Sequence, residues 1–364
     1  MRKLSLVSLI LLLILSGCNF SLHGGGSSGI HSNLYIAAWY VPYDSRGLQS
    51  FTDNISSFSE INPVWYNLNP DYFTTGAVPF TTNTANKSAI VSLARSHGIK
   101  ILPTIQNWGI SNFDPTVINS IINNPVSRSR HVAEIVNLVN SEGFDGIDID
   151  YESLPASSRG AFSIFIAELN AALKQHQKLL AVDVYAKTSD ATWDGAGAQD
   201  WGALGQNVDL LKIMAYDYHW VTFHAGPISP VDWLQDILKY TSGFSTLTGK
   251  VMIGLPFYGL KWGSNSTGVE ITYQDAVNLA QSNNLTVSRA SIPHTNPICS
   301  AYYQNVEPHF DFIKNGITYS VYYQDVQALR QRLQIISQYR GLVKGVTFWR
   351  LGGEDPLSWQ EMNK

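Results

Sequence analysis

Within residues 144–152, FDGIDIDYE, the acids Asp148, Asp150 and Glu152 stand at every second position, with Ile149 and Tyr151 between them and Ile147 before. In an extended strand successive side chains point to opposite faces. The three acids therefore share one face, and Ile147, Ile149 and Tyr151 share the other. A row of carboxylates on an otherwise apolar strand is costly unless something neutralises or uses it. Three uses are open. A divalent metal is one, but the calcium-loop pattern needs a Gly at its sixth position and a Glu at its twelfth. Counted from Asp148 those positions are Ser153 and Arg159, and from Asp150 they are Pro155 and Ala161. Buried structural acids satisfied by backbone are a second use. Acid–base chemistry is the third. Burial and a like charge both raise a carboxyl pKa, so Asp148 and Asp150 are expected to share one proton. A Glu152 kept protonated near neutral pH has the property that a general acid needs.

The elements that would carry these acids can be read along the chain. Apolar, β-prone runs occur at 35–41, 62–68, 100–105, 144–150, 179–186, 209–216, 250–257 and 345–351. Helical spacing fills Lys87–His97, Arg128–Glu142, Ser158–His176 and Asp325–Tyr339, with Gly98, Gly143 and Gly341 as stop signals. Eight near-continuous apolar strands alternating with helices predict an α/β chain, a parallel sheet closed into a (β/α)₈ (TIM) barrel. The rhythm breaks at about 263–324, which reads as a small α+β insertion after the seventh strand. Active sites of such barrels gather where the strands end at the C-terminal face. Glu152 would sit at that rim, with Asp150 and Asp148 one and two layers below.

At this point the residues resemble a family. DGIDIDYE at 145–152 is similar to the DxxDxDxE signature of glycoside hydrolase family 18, which includes chitinases and N-acetylglucosaminidases. MAYD at 214–217, GLPFYG at 254–259 and FWRLGGED at 348–355 look like that family's sixth-, seventh- and eighth-strand segments. AWYVPYD at 38–44, NPVWYNL at 62–68 and the run MAYDYHW…GPISPVDW at 214–233 resemble most the bacterial spore-cortex N-acetylglucosaminidases. The resemblance implies a retaining, substrate-assisted hydrolysis in which the sugar's own 2-acetamido oxygen is the nucleophile. It implies Glu152 as acid and base, Asp150 on the acetamido N–H, Asp148 as proton partner below, and Asp145 as a structural acid. It further implies Tyr216 on the acetamido oxygen, Asp217 against the sugar and Trp349 as its apolar floor. Tyr258 is a candidate cleft residue. His219 reads as a locally satisfied loop histidine, and Trp39, Trp108, Trp220 and Trp262 fall near strand ends.

The remaining features bound the setting. The 364 residues carry a formal charge of −4, with ten Trp and eighteen Tyr. Mild acidity supplies no basic stripe of the kind nucleic-acid binding requires, and flat aromatic faces suit sugar rings. MRK followed by the apolar Leu4–Leu15 reads as a secretion signal. LSGC at 15–18 resembles the lipobox of bacterial lipoproteins, which implies acylation of Cys18 and membrane attachment. The expected organisation is a signal at 1–17, an anchor and Gly/Ser tether at 18–33, and a catalytic domain at 34–364. Spending Cys18 on an anchor leaves Cys299 without an intrachain partner. The reading is thus a monomeric, lipid-anchored protein of the bacterial envelope, facing away from the cytoplasm. It would cleave β-1,4 bonds after N-acetylglucosamine in peptidoglycan or chitin-type glycans, without metal or cofactor. The rival is a glycan-binding protein on the same barrel that performs no chemistry.

Overall fold

The structure is a computed structural model that describes residues 34–71, 79–289 and 306–364. Cys18, the signal and tether, and Cys299 lie outside the described residues. The barrel starts with β1 (Tyr35–Tyr40) and β2 (Glu60–Leu68), and a short β3 (Phe80–Thr82) pairs antiparallel with β2. The third barrel position is shared by β4 (Lys100–Ile101) and β5 (Thr104–Gln106), followed by β6 (Gly146–Asp150), β7 (Leu179–Tyr185), β8 (Leu210–Met214) and β9 (Val251–Pro256). The chain then leaves the barrel through β10 (Gly259–Gly263), β11 (Ser266–Ile271), β12 (His309–Lys314) and β13 (Ile317–Tyr322), and returns as β14 (Val343–Trp349). Barrel neighbours are parallel, and β1 pairs with both β14 and β2, which closes the ring. The expected (β/α)₈ barrel with its insertion is the fold this chain adopts.

Local chemistry explains where elements start and break. The third strand, read as one run, is split at Leu102–Pro103, because proline has no N–H to give to the ladder. Its carbonyl still accepts from the Asp148 N–H, 3.0 Å away, which keeps β6 in register. The helix Pro125–Glu142 begins three residues before its expected start at Arg128. Asn124 caps it by accepting from the N–H groups of Val126 and Ser127, and Pro125 fits the first turn. Gly143, at φ 65°, ends it in the left-handed region that favours glycine.

Alternation along the strands sorts the core into two layers. Ile147 and Ile149 are fully buried in the cluster between barrel and helices, together with Phe165, Ile166 and Leu169 of the helix Arg159–Gln175. The opposite parity fills the barrel interior. Its base is an apolar plug of Ala37, Leu102, Ala181, Leu210 and Met252. The next layers carry the charged residues described below.

The insertion is a four-stranded antiparallel sheet in the order β11-β10-β13-β12. The helix Tyr273–Ser282 covers it through Ala276 and Ala280, packed with Phe310, Val321 and Tyr323. Its first strand starts at Gly259, ahead of the boundary expected near 263, so Tyr258 lies at the junction with the barrel. A second apolar cluster of Trp39, Tyr216, Ile228, Tyr258, Leu260, Trp262 and Tyr322 joins the barrel mouth to this sheet. Among the described residues no helix is long and apolar enough to cross a membrane.

Candidate active site

Register places the polar side chains of neighbouring strands opposite one another. Thr104 lies beside Asp148, and Gln106 beside Asp150, across the β5–β6 pair. The Thr104 hydroxyl donates to Asp148 Oδ2 at 2.8 Å, and the Gln106 amide donates to Asp150 Oδ2 at 2.7 Å. Asp148 Oδ2 also accepts from the Trp39 indole N–H at 3.0 Å. Its other oxygen faces the Lys212 ammonium at 3.0 Å, and the same ammonium stands 3.0 Å from Glu60 Oε1. Asp148, Lys212 and Glu60 are completely buried. The lone pairs of Glu60 are used further by Asn62 and by the Tyr35 hydroxyl, each at 2.9 Å.

Around Asp148, the expected proton partner of Asp150, the structure adds the Thr104 hydroxyl, the Trp39 indole and, facing its other oxygen, a lysine ammonium from β8. Burial opposes a charge on Lys212, but Asp148, Glu60 and Asp183 outweigh it and hold the ammonium above its usual range. A further buried acid of this floor is Asp183 of β7, opposite Lys212 in the β7–β8 register. Burial pushes Asp183 well above the carboxyl range, and the charges of Asp148 and Asp150 add to that.

Above the floor, burial pushes Asp150 up to about 7, opposed by the Gln106 hydrogen bond and reinforced by Asp148. Glu152 follows the end of β6 and is half-buried. Burial and then the Asp150 charge raise its carboxyl well above the usual range, while hydrogen bonding by the Tyr185 hydroxyl opposes the rise. At the rim, a glutamate raised well above the usual carboxyl range therefore stands over an aspartate pushed up to about 7. This is the divergence between neighbouring carboxyls that assigns an acid and its partner.

Glu152 is held by its backbone. Its N–H donates to Asn107 Oδ1 at 2.9 Å, and its C=O accepts from Asn107 Nδ2 at 3.0 Å, while the same nitrogen ties to the Asp114 carbonyl at 3.0 Å. Asn107→Ala is expected to remove about 1–3 kcal/mol of stability by orphaning these groups. It is also expected to lower kcat about tenfold or more while KM changes little, because the proton donor is no longer held in place. Denaturant unfolding and steady-state kinetics on the same preparation check both.

Tyr216 is buried beside the acids. Burial, then the charges of Asp183 and Asp217, keep its hydroxyl protonated well past its usual range. Gly254 makes room for it, since a Cβ there would come 3.0 Å from the Tyr216 ring and 2.9 Å from the Ile213 carbonyl. Asp217 has a left-handed backbone at φ 60° and accepts a short hydrogen bond from the Tyr258 hydroxyl. Burial pushes Asp217 up to about 7, with the Tyr258 bond opposing. Trp349 is half-buried and meets Trp39 edge to face, with centroids 5.8 Å apart.

The seven expected catalytic and substrate-binding residues thus converge: Asp148, Asp150, Glu152, Tyr216, Asp217, Tyr258 and Trp349. Asp145, expected as a structural acid, is exposed at the opposite end of β6, where it accepts from the Ile101 N–H at 2.9 Å. Among the candidate tryptophans, Trp39 and Trp262 are buried, whereas Trp108 and Trp220 are 44% and 42% exposed and remain available to a ligand. His219 is buried with Nδ1 2.7 Å from the Pro227 carbonyl. The sequence reading missed Asp183, Lys212, Glu60, Thr104, Gln106, Asn107 and Tyr185. Two had a visible signal: Asp183 in LLAVDVYA and Lys212 in DLLKIMAY are lone charges inside apolar strands, the same anomaly that marked Asp148. Asn107 and Tyr185 had none, since their partners are fixed only by the fold. Among the described residues no three His, Cys, Asp or Glu side chains are arranged to hold a metal ion.

Known proteins share this fold. The fold superposes on the Bacillus cereus spore cortex-lytic enzyme SleL with a TM-score of 0.77 at 21% identity, covering 91% of this chain and 74% of that one. It superposes on a chitinase from Chromobacterium violaceum with a TM-score of 0.77 at 22% identity, covering 90% and 98%. In sequence, 281 residues are 29% identical to Bacillus subtilis YdhD, whose name describes a sporulation-specific glycosylase; they cover 76% of this chain. The chain spans 64% of that relative's length, a little under two thirds. The profile of the glycosyl hydrolases family 18 matches residues 33–354, from the start of the barrel to the segment after β14. The chain belongs to glycosyl hydrolase family 18.

Proposed function

We propose that this protein is a retaining glycoside hydrolase that cleaves the β-1,4 bond following an N-acetylglucosamine, in peptidoglycan or chitin-type glycans. The observation that carries the reading is Glu152 placed over Asp150 at the mouth of the barrel, its carboxyl raised by burial and by the Asp150 charge. Glu152 gives its proton to the glycosidic oxygen as the bond from that oxygen to the anomeric carbon breaks. The substrate's acetamido oxygen forms a bond to the same carbon from the opposite face, which gives a cyclic oxazolinium. Asp150 accepts from the acetamido N–H and its charge offsets the positive ring. Tyr216 donates to the acetamido oxygen, Asp217 binds the sugar, and Trp349 lies beneath it. Water then attacks the anomeric carbon as the bond from that carbon to the acetamido oxygen breaks, Glu152 takes a proton from this water, and two inversions leave the configuration retained. Glu152 and Asp150 depart from the usual pair of enzyme acid and enzyme nucleophile, because the nucleophile belongs to the substrate.

The names of the relatives, spore cortex-lytic enzyme and chitinase, support both glycans as substrates. The test incubates purified full-length protein, beside its Glu152→Gln variant, with peptidoglycan and with chitin oligosaccharides, and reads the products by mass spectrometry. New reducing-end N-acetylglucosamine made by the parent alone supports hydrolysis and identifies the glycan. Binding without products from either protein would assign the cleft to glycan binding. Chemical deacetylation of whichever glycan is cut should abolish turnover, since the nucleophile is removed. Cleavage of fully deacetylated chains would reject the substrate-assisted route.

The same reading makes Cys18 an acylated N-terminus that holds a monomeric barrel to a membrane of the bacterial envelope, outside the cytoplasm. LSGC at 15–18 supports it. Cys18→Ala should move the protein from the membrane fraction to the soluble one, and unchanged fractionation would reject the anchor.

A further inference from the structure

The end of the barrel away from the acids, where every barrel strand begins, is rich in cations. There β4 opens on Lys100, Lys178 and Lys250 directly precede β7 and β9, and Lys344 is the second residue of β14. Helices running back from the mouth finish at the same end, and three of their last turns carry Arg95, Lys174 and Lys239. Cations suit helix C-termini, whose unpaired carbonyls are negative. Lys178 and Lys250 are half-buried and give their ammonium hydrogens to the carbonyls of Phe144 at 2.7 Å and Gly205 at 2.8 Å. Lys100, Lys174, Lys239 and Lys344 are exposed.

The acids at this end have partners of their own. Asp145 and Asp209 each accept a backbone N–H at 2.9 Å, from Ile101 and Leu180. Glu142 meets the Lys87 ammonium at 2.6 Å, and Asp53 accepts from the Gln49 amide at 2.7 Å. The face is therefore basic on a chain whose formal charge is −4, so overall composition does not produce it. The chain also enters the fold here. Leu34 leads into β1 at Tyr35, and the Lys344 ammonium lies over the Tyr35 ring at 5.1 Å. Fifteen residues separate Cys18 from Leu34, a length that spans about 50 Å at most.

We propose that this basic face docks on a bilayer surface of anionic lipid headgroups, so that the barrel stands on the membrane with its active-site mouth turned outward. Two observations converge on that partner. One is the sign of the exposed charge, and the other is the point at which the segment from Cys18 joins the barrel. Each lysine held near an anionic surface strengthens attachment about fivefold, provided it lies within the Debye length of about 8 Å at physiological salt. A soluble polyanion would match the charge but not its place at the root of that segment. Docked in this way, the cleft is presented to glycan lying away from the bilayer. The proposal takes the acylated Cys18 from the reading above, whereas the charge of the face does not depend on it.

The test expresses the full-length protein in a bacterial host, so that any acylation of Cys18 takes place, and mixes it with vesicles of phosphatidylglycerol or of phosphatidylcholine. A water-soluble amine reagent acetylates the lysines, and mass spectrometry reads each rate, with the exposed Lys314 of the insertion as control. On phosphatidylglycerol, Lys100, Lys174 and Lys344 should react at least about threefold more slowly than on phosphatidylcholine, because three lysines at about fivefold each make the docked pose dominant. Lys314 should react equally on both. Salt near 1 M, where the Debye length is about 3 Å, should remove the difference. Combining Lys100→Glu, Lys174→Glu and Lys344→Glu should remove it at Lys239 and leave turnover of a soluble oligosaccharide unchanged. If that variant does not fold, the lipid and salt comparisons decide alone. Equal labelling on the two lipids overturns the proposal, as does protection that survives high salt or covers Lys314 as strongly. Protection by soluble polyphosphate but not by phosphatidylglycerol would reassign the face to a soluble polyanion. Protein that fails to sediment with phosphatidylcholine, yet shows the protection on phosphatidylglycerol, would uphold the face and reject the anchor.

Discussion

Glu152→Gln lowers kcat by about 10²–10⁴-fold, the range for removing a positioned general acid, and leaves glycan affinity close to that of the parent. In free energy this is about 3–5 kcal/mol of transition-state stabilisation. The amide keeps the shape of the acid, and the clamp on its backbone belongs to Asn107, so the cleft stays formed. What is lost is the proton for the leaving oxygen and the base for the incoming water. The variant also loses the alkaline limb of the pH profile, since that limb reports Glu152 giving up its proton. A linked stability effect has a definite sign. The folded state raises the Glu152 pKa, so within that window it binds more protons than the unfolded chain and stability falls as pH rises. The favourable contribution is complete below the ordinary glutamate range and is lost as pH passes through the raised value. Glu152→Gln should therefore unfold at a higher temperature than the parent at alkaline pH, with the difference shrinking toward acid. Isothermal titration with an acetylated chitin oligosaccharide, stopped-flow kinetics and thermal unfolding across pH measure the three effects. A variant with parental kcat would remove Glu152 from the chemistry.

Asp150→Asn lowers kcat/KM by about 10²–10³-fold, the size seen when one preorganised electrostatic partner of a transition state is removed. An asparagine can still turn its oxygen toward an acetamido N–H, and Gln106 remains beside it. The missing quantity is the negative charge opposite the oxazolinium. Asp150 is pushed up to about 7 by burial, so the parent gains activity as pH rises through neutrality, until Glu152 begins to lose its proton. In Asp150→Asn this acid limb should flatten. Asp217 is also pushed up to about 7, and Asp217→Asn is the control that tells the two apart. Retention of the acid limb in Asp150→Asn, together with its loss in Asp217→Asn, would reassign the titration to Asp217. Both experiments compare kcat/KM at several pH values with one acetylated substrate.

Much of the site was legible because strand alternation is a local property. Once FDGIDIDYE is extended, the parity of Asp148, Asp150 and Glu152 follows without knowledge of any neighbour, and so does the burial of Ile147 and Ile149 against the helices. Eight apolar runs separated by helical periodicity determined the barrel, because a parallel sheet covered on both faces permits few other closures. The motif MAYD likewise placed Tyr216 and Asp217 at the end of a strand. Boundaries were less legible. The break at Pro103 follows from one missing N–H and the cap at Asn124 from two bonds to its side chain, which no periodicity reports.

By itself, then, the sequence determined the barrel, the face on which the acids stand and the family to which the chain belongs. Only the tertiary structure decided their charges. The Lys212 of β8, the Glu60 of β2 and the Asp183 of β7 are far from Asp148 in the chain and become its neighbours when the ring closes. A proton's location depends on through-space fields and on lone pairs contributed by separate strands. The alternation of one strand can place carboxyls in a row, but their partners across the barrel determine which of them holds the proton.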